Sequence, residues 1–247
     1  MVNTSTAEPT VKGREAKDRT DGRTRRWRLH RERRRIELLK LAREAIAELG
    51  ANASMSEIAA HCRTSKSVFY RYFEDKDGLK RKLAEYVVER MGRRMTEAVA
   101  EAGSFEETVH ELVVQYLWQL ENAPEVYLFV VSESAPDGQS PVDRFVQAVA
   151  ELLVDAQRRH SADHDRLPEP TARYWAAGVV GLVRGAGEAW MRPRTTAGPQ
   201  APANPDENHP SAAEPERPSL EEFVETVTAW VVKGSQPPAL SSITPTT

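Results

Sequence analysis

Cysteine is nearly absent from this chain, since Cys62 is the one cysteine among 247 residues. A single cysteine excludes an intrachain disulfide and is consistent with a reducing compartment. Long apolar runs are also missing, and the run at 126–131 is far shorter than the roughly 20 residues of a membrane-spanning helix. The basic N-terminal stretch has no apolar segment behind it, unlike a secretory signal. We therefore expect a cytoplasmic protein without a membrane partner.

The motifs of common enzyme classes are missing as well. The chain contains no phosphate-cradling glycine loop, no dinucleotide-binding signature and no nucleophile motif. Its six histidines are scattered, and one grouping, His160 and His164 with Asp163 and Asp165, falls in a turn-like segment without the further ligands of a metal site. We expect no catalytic site, no metal and no cofactor, and an enzyme remains an alternative function.

Charge is unevenly distributed, although the net charge is only -3. Residues 1–96 contain 24 Lys and Arg against 14 Asp and Glu, whereas residues 97–247 contain 10 against 23. The densest basic stretch, Lys12–Arg35, has 12 basic and 4 acidic residues. This asymmetry indicates that the front part meets a polyanion such as DNA. The alternative for the basic arm is a solubilising tail that binds nothing specific.

Apolar residues at helical spacing predict an all-α protein, and no strand pattern is visible. Gly50 is placed to end the first helix, and Ser54 and Ser65 to begin the next two as N-caps. The predicted helices are 31–49, 55–61, 66–73, 76–102, 105–121, 124–134, 141–160, 169–191 and 219–232. Residues 1–30 and 236–247, which have little apolar content, are predicted to be disordered, and the proline-rich segment 192–218 to be a flexible loop.

The range 54–83 carries the most specific pattern, a short helix, a tight turn and a second short helix rich in hydroxyls, aromatics and cations. Phe69 and Phe73 lie four residues apart and therefore point to one side of that second helix. The other side presents groups that bond phosphate oxygens or base edges: Lys66, Ser67, Tyr70 and Arg71. Because the major groove of DNA admits one helix, the pattern predicts a helix that reads DNA.

These residues strongly resemble the DNA-binding domain of the TetR family of bacterial regulators. The matching string runs from Gly50 to Leu79, and its most specific element is the tyrosine-x-tyrosine-phenylalanine sequence at 70–73 followed by Lys76. The resemblance implies a three-helix helix-turn-helix domain at 31–80 and a larger helical ligand-binding and dimerisation domain at 81–235. It also implies a homodimer that binds palindromic double-stranded operator DNA, responds to a small-molecule effector and by family default represses.

The resemblance implies DNA-contacting roles residue by residue. The family's base-facing positions fall on Lys66, Ser67, Val68 and Arg71. Its phosphate-contacting positions fall on Ser54, Tyr70, Tyr72 and Lys76. The turn adds two candidates, Arg63 and Ser65. Where the family usually has glycine in the turn, this chain has Arg63, so either the turn geometry differs or the arginine serves another phosphate contact.

In the rear domain the resemblance implies an internal cavity for a small, hydrophobic effector. The candidate lining residues are Tyr116, Trp118, Leu120, Tyr127, Phe129, Phe145, Val149, Trp175 and Arg184. Arg184 and Glu188 lie four residues apart, and they either pair with each other or hold a charged group of the ligand. A constitutive or architectural DNA-binding protein without a ligand is the alternative.

The last two helices are implied to form the dimer interface. The candidate interface residues are Val179, Leu182, Ala186, Phe223, Val227 and Trp230. Small residues at 176–178, 181 and 185–187 would let a second helix approach closely. The same apolar stripes are also typical of a subunit core.

Overall fold

The computed structural model describes residues 11–132, 140–162, 166–192 and 217–234. These ranges form nine helices and no strand, which confirms the all-α prediction. In chain order the helices are α1 (Val11–Leu49), α2 (Met55–His61), α3 (Lys66–Phe73), α4 (Lys76–Glu101), α5 (Phe105–Asn122), α6 (Pro124–Val131), α7 (Pro141–His160), α8 (Glu169–Met191) and α9 (Leu220–Gly234). None of the helices in these ranges has both the length and the apolar character that crossing a membrane requires.

The first helix is much longer than the sequence predicted, because it begins at Val11 and not at Arg31. The expectation of disorder is therefore wrong for residues 11–30, whereas residues 1–10 lie outside the described residues. Residues 11–30 contain no proline, and eight of the twenty are Arg or Lys, which have high helix propensity. Residues 11–30 have no apolar stripe, and they form a helix without one.

The other helix boundaries follow the prediction closely, and those of α2, α3, α7 and α8 are confirmed. Helix α6 ends at Val131 and not at Ser134, because Ser132 forms its C-cap. Most of the predicted loop and the whole predicted tail, at 193–216 and 236–247, lie outside the described residues.

The caps of the short helices are also confirmed. Ser54 begins α2 with a capping box, in which its hydroxyl accepts from the Glu57 N–H and the Glu57 carboxylate accepts from the Ser54 N–H at 2.8 Å. These hydrogen bonds from Ser54 lower the pKa of the Glu57 carboxyl. The Ser65 hydroxyl accepts from the Val68 N–H and so caps α3. Each short helix thus has one of its free N-terminal amides satisfied by the side chain of its N-cap residue.

Arg63 closes α2 in the left-handed backbone conformation, with φ at 49°. The Thr64 N–H donates to the Ala59 carbonyl and the Arg63 N–H to the Ala60 carbonyl, each at 3.0 Å. This hydrogen-bond pair is the Schellman motif, in which glycine usually holds the left-handed position. The turn therefore has the geometry that a glycine would give it, and the first alternative for Arg63 is excluded.

A second strained residue reverses the chain between α3 and α4. Glu74 has φ 68° and ψ -61°, and the Asp75 N–H donates to the Phe73 carbonyl at 2.8 Å. These values describe a γ-turn, a rare and strained conformation. The turn ends α3 directly after Phe73, so the helix has only eight residues.

The chain divides into two compact units, residues 1–76 and residues 77–247. In the first unit α2 packs against both α1 and α3, and the buried side chains include Leu38, Ile46, Ile58 and Phe69. In the second unit α5 contacts α6, α7, α8 and α9, and α7 packs along α8. Each unit therefore has an apolar interior of its own.

Trp190 joins the end of α8 to the start of α9. Its ring stacks on Phe223 at a centroid distance of 5.4 Å, and its indole N–H donates to the Pro218 carbonyl at 3.1 Å. The Arg217 guanidinium also lies over the Trp190 ring, 3.5 Å from its centroid. These contacts fix where α9 begins against the second unit's core.

The turn at Arg63 generates a stability prediction. The free energy of unfolding of Arg63→Gly should exceed that of Arg63→Ala by about 1 kcal/mol, because only alanine keeps the left-handed strain. Denaturant titration measures both, and Arg63→Gly should unfold at the higher concentration. Both variants lack the guanidinium, so any loss of DNA affinity caused by a missing phosphate contact should be equal in the two. Equal stability of the two variants would show that the turn stores no strain.

Candidate functional site

Helix α3 divides its side chains between a buried and an exposed side. Phe69 is fully buried and Phe73 is 2% exposed, and their ring centroids are 5.3 Å apart. Lys66, Ser67, Tyr70 and Arg71 are exposed, and of these Ser67 and Arg71 lie on the side opposite the two rings. The two phenylalanines hold the helix to its unit while its cations and hydroxyls face outward, which is the arrangement that a DNA-reading helix needs.

Aromatic rings support two of the exposed cations. The Lys66 ammonium lies 5.6 Å from the Tyr70 ring centroid, and the Arg71 guanidinium lies 5.5 Å from that of Tyr72. Such contacts are cation–π interactions, which restrict the side chains without neutralising their charge. Tyr72 itself is half-buried and lies next to Arg31 of α1.

Among the remaining DNA candidates, several hydroxyls and cations already have partners. Ser54 and Ser65 are exposed and act as caps, and the Ser67 and Ser65 hydroxyls are 3.0 Å apart. Val68 is half-buried, and the Arg63 side chain is exposed beside the N-terminus of α3. These residues lie around the exposed side of α3.

Lys76 differs from the others because it also supports the fold. It is half-buried, and its ammonium donates to the Asn52 carbonyl at 3.1 Å, which ties the start of α4 to the segment between α1 and α2. A change at Lys76 therefore alters a loop anchor as well as a charge. Tyr70 and Arg71 are the cleaner positions for testing DNA contact.

The sequence reasoning missed Arg31 on α1. Its guanidinium lies 6.0 Å from the Tyr72 ring centroid, so α1 brings basic side chains to the edge of α3. The signal was present as a dense run of arginines, but the sequence does not show which of them lies beside α3.

The second unit contains a cavity of about 110 Å³ with an almost wholly apolar wall. Of the predicted lining residues, five reach the cavity: Tyr116, Tyr127, Phe145, Val149 and Arg184. Further wall residues, missed by the sequence reasoning, come from every helix of the second unit: Val87, Val88, Met91, Met95, Val109, Leu112, Val113, Gln119, Val130, Val131, Val142, Val146, Leu153, Val179, Val180, Val183 and Val231. Most are valines at helical spacing, and their spacing does not reveal which side of the helix meets a void.

Four predicted lining residues lie elsewhere. Leu120 and Phe129 are fully buried in contacts with other side chains, and Trp118 is 40% exposed with the Arg94 guanidinium 5.5 Å from its ring centroid. Trp175 packs on Phe105 at a centroid distance of 5.9 Å. The prediction gave weight to large side chains, but large side chains fill space in a core more often than they border a void.

One polar cluster borders the cavity. The Tyr127 hydroxyl donates to the Glu188 carboxylate at 2.6 Å, and the Arg184 Nε–H donates to the same oxygen at 2.9 Å. The Tyr116 and Tyr127 hydroxyls are 3.2 Å apart. Arg184 and Glu188 thus pair with each other, as one of the two alternatives expected.

The charge states of this cluster follow from burial and hydrogen bonding. Burial raises the pKa of both Tyr116 and Tyr127, so the two phenols stay neutral. Burial also raises the pKa of Glu188, but hydrogen bonds from Tyr127 and Arg184 outweigh it and leave that pKa below its ordinary value. The cavity therefore meets two neutral hydroxyls and a compensated ion pair.

The predicted dimer residues divide into two groups. Phe223 and Val227 belong to the subunit's own core, Ala186 packs against that core, and Val179 lines the cavity. Leu182 and Trp230 are 43% and 50% exposed. Of the six predicted residues, only Leu182 and Trp230 are exposed large apolar side chains.

Residues 38–83 match the family model described as bacterial regulatory proteins of the tetR family. An HTH-type transcriptional regulator from Mycobacterium tuberculosis H37Rv is 33% identical over 175 residues, which cover 70% of this chain and 74% of that protein. The chain belongs to the TetR family. It is a TetR-type transcriptional regulator with a helix-turn-helix unit followed by a helical second unit.

Solved structures of TetR-type regulators share the fold. The regulator FadR from Bacillus subtilis, in complex with stearoyl-CoA, is 15% identical with a TM-score of 0.59 and covers 81% of this chain and 98% of its own. The TetR-like regulator LfrR from Mycobacterium smegmatis, in complex with proflavine, is 20% identical with a TM-score of 0.52 and covers 83% and 96%. At such identities the likeness concerns the fold alone.

The exposed side of α3 generates a prediction for this TetR-type regulator. Arg71→Ala should weaken binding to a duplex selected by the wild-type protein by about 10- to 100-fold, since a lost base or phosphate contact removes about 1–3 kcal/mol. Lys40→Ala, which removes an exposed charge from α1, is the matched control and should change affinity little. Equal losses in the two variants would contradict a specific role for α3.

Proposed function

We propose that this regulator is a cytoplasmic repressor that binds palindromic operator DNA as a homodimer and releases it when a small apolar molecule occupies the cavity of the second unit. The observation that carries the proposal is the amphipathic division of α3. Two phenylalanines anchor the helix, and its cations and hydroxyls are exposed. Exposed cations on a short anchored helix suit the donor and acceptor pattern of the major groove.

Dimerisation is part of the proposal because one short helix makes few contacts. Two copies that read two half-sites of a palindrome supply the affinity and specificity that one copy lacks. The exposed side of α8 favours a helix partner, since Gly178, Gly181 and Gly185 have no atom within 4 Å of the position of an added Cβ. Leu182 and Trp230 offer apolar surface on α8 and α9. Small residues beside large apolar ones permit close approach of a second helix.

The cavity supports a ligand of limited size and low polarity. Its volume of about 110 Å³ is roughly eight times the space that one water molecule needs. Because the Arg184–Glu188 pair is compensated and the two phenols are neutral, the wall offers hydrogen bonds without an uncompensated charge. Two structural neighbours were solved with stearoyl-CoA and proflavine, and apolar ligand parts of that kind suit such a wall.

Helix α4 gives the ligand a physical route to the DNA-reading unit. It begins at Lys76, the last residue of the first unit, and its later residues Val87, Met91 and Met95 line the cavity. A ligand that displaces these side chains acts on the helix that directly follows the reading unit. If the ligand binds more tightly when α4 is in one of two positions, it shifts α4 toward that position. The resulting change in the free energy of DNA binding equals the change that DNA causes in the free energy of ligand binding.

A constitutive regulator without a ligand is the alternative function. A void of this size with an apolar wall costs packing energy in a core, so a protein with no ligand would be expected to fill it. The cavity therefore favours the ligand-responsive proposal.

Selection of duplexes from a random pool tests the proposal as a whole. Wild-type protein should enrich a palindromic site, and a metabolite extract should reduce its recovery. Enrichment of a site that lacks symmetry, or recovery unchanged by extracts from several growth conditions, would contradict the dimer or the ligand response respectively.

A cavity-filling variant tests the ligand site. Val149→Phe should weaken binding of the uncharged fluorescent probe N-phenyl-1-naphthylamine at least about tenfold, because a ring would occupy the void. Leu152→Phe, three residues along α7 and outside the cavity wall, is the control and should bind the probe as the wild type does. Probe fluorescence titration measures both, and undiminished binding by Val149→Phe would place the site elsewhere.

A charge introduced on α8 tests the dimer. Leu182→Glu should convert the dimer to a monomer in sedimentation analysis and lower operator affinity by about 100-fold or more, because each monomer reads one half-site. Leu128→Glu alters a leucine of similar exposure, 42% against 43%, on α6. It should leave the dimer intact, and a dimeric Leu182→Glu would contradict the proposed interface.

A further inference from the structure

Residues 25–35 of α1, the C-terminal part of the basic arm (Lys12–Arg35), form an open concavity with α3, the recognition helix. The concavity has a volume of about 620 Å³. It is lined by four arginines, one glutamate and three apolar or aromatic residues: Arg25, Arg28, Arg31, Arg35, Glu32, Trp27, Leu29 and Tyr72. Seven of these residues come from α1, and Tyr72 comes from α3. The surface therefore lies entirely within the first unit.

The charge of this concavity is strongly positive after its internal pair is considered. Arg35 donates to the Glu32 carboxylate at 2.5 Å, so these two charges compensate each other. Arg25, Arg28 and Arg31 remain, and all three are exposed. Among the described side chains these three guanidinium groups have no carboxylate partner, and a concave surface with three such groups fits an extended polyanion better than a single small anion.

Arg31 is held at the junction between the arm and α3. Its guanidinium lies 5.5 Å from the Trp27 ring centroid and 6.0 Å from that of Tyr72. Tyr72 also lies beneath Arg71, at 5.5 Å. One tyrosine ring thus connects a cation of the arm with a cation of the recognition helix, and the two basic surfaces are continuous.

The spacing of the three arginines fits a DNA strand. Along a helix that rises 1.5 Å per residue, positions 25 to 31 extend over about 9 Å. One strand of B-DNA carries a phosphate about every 3.4 Å along the duplex axis, so this length corresponds to roughly three phosphates. Charge and length therefore both match a segment of sugar-phosphate backbone next to the one that α3 contacts.

We propose that the concavity formed by Arg25, Arg28, Arg31 and Tyr72 binds the phosphate backbone of the DNA that flanks each half-site. This inference depends on the proposed function, since the flank is defined by the site that α3 reads. The contact adds affinity without sequence preference, because phosphates carry no base information. It also assigns the arm a binding role in place of a solubilising one.

The experiment compares two double variants that remove equal charge from the same helix. Arg25→Gln with Arg28→Gln changes the concavity, whereas Arg26→Gln with Arg33→Gln changes exposed arginines that do not line it. Glutamine keeps the helix propensity of arginine, so circular dichroism should be unchanged. Binding is measured against salt concentration on the selected duplex with flanks of about one helical turn, about 10 base pairs, and on the same duplex without flanks.

On the flanked duplex, the slope of log affinity against log salt should become less steep in the concavity variant, by about 3 to 4, since a dimer loses up to four phosphate contacts. The control variant should lower it by less than about 1. On the duplex without flanks, the concavity variant and the wild type should have the same slope.

Three results would overturn the inference. Equal slope changes in both double variants would show a general charge effect, and an unchanged slope in the concavity variant would show that the arm makes no backbone contact. In both cases a wild type that still binds its selected duplex leaves the proposed function intact. A wild type that selects no duplex would overturn the proposed function and this inference together.

Discussion

The burial of Phe69 and Phe73 is the constraint on which the DNA-reading surface depends. With these rings packed 5.3 Å apart in the first unit, the 3.6-residue period places Ser67 and Arg71 on the opposite side and Tyr70 at its border. The helix has eight residues, too few to be stable in isolation. Its orientation is therefore set by packing, and loss of either ring would remove the reading surface along with the core contact.

Local capping explains why the short helices were predictable and the long one was not. Ser54, Glu57 and Ser65 form their caps within four residues of sequence, so the signal and the structure have the same range. Gly50, with φ at 93°, is equally local. Residues 11–30 have no apolar stripe to mark a helix, although their arginines and lysines have high helix propensity and α1 begins at Val11.

The cavity was predictable as a property of the fold and only partly in its residues. Tyr116, Tyr127 and Arg184 were found because polar groups in apolar helices are conspicuous in a sequence. The valines of α4, α7 and α8 look the same whether they fill a core or border a void, and the difference depends on where neighbouring helices leave space. Phe129 was misplaced for the same reason, since its full burial reflects contacts that periodicity does not specify.

Helix α8 shows how one element can serve both the cavity and a partner surface. Gly187 is closely packed, because an added Cβ would lie 2.9 Å from Tyr116 and 3.0 Å from Leu117 and Leu120. The glycine cluster on the exposed side, at 178, 181 and 185, has no such neighbours. Between these two sides the helix supplies cavity-lining side chains at 179, 180, 183 and 184. Because a packed helix moves largely as a rigid body, a ligand that shifted the wall of the cavity would also shift the exposed glycines, so the ligand response and the dimer contact that we propose would be mechanically linked.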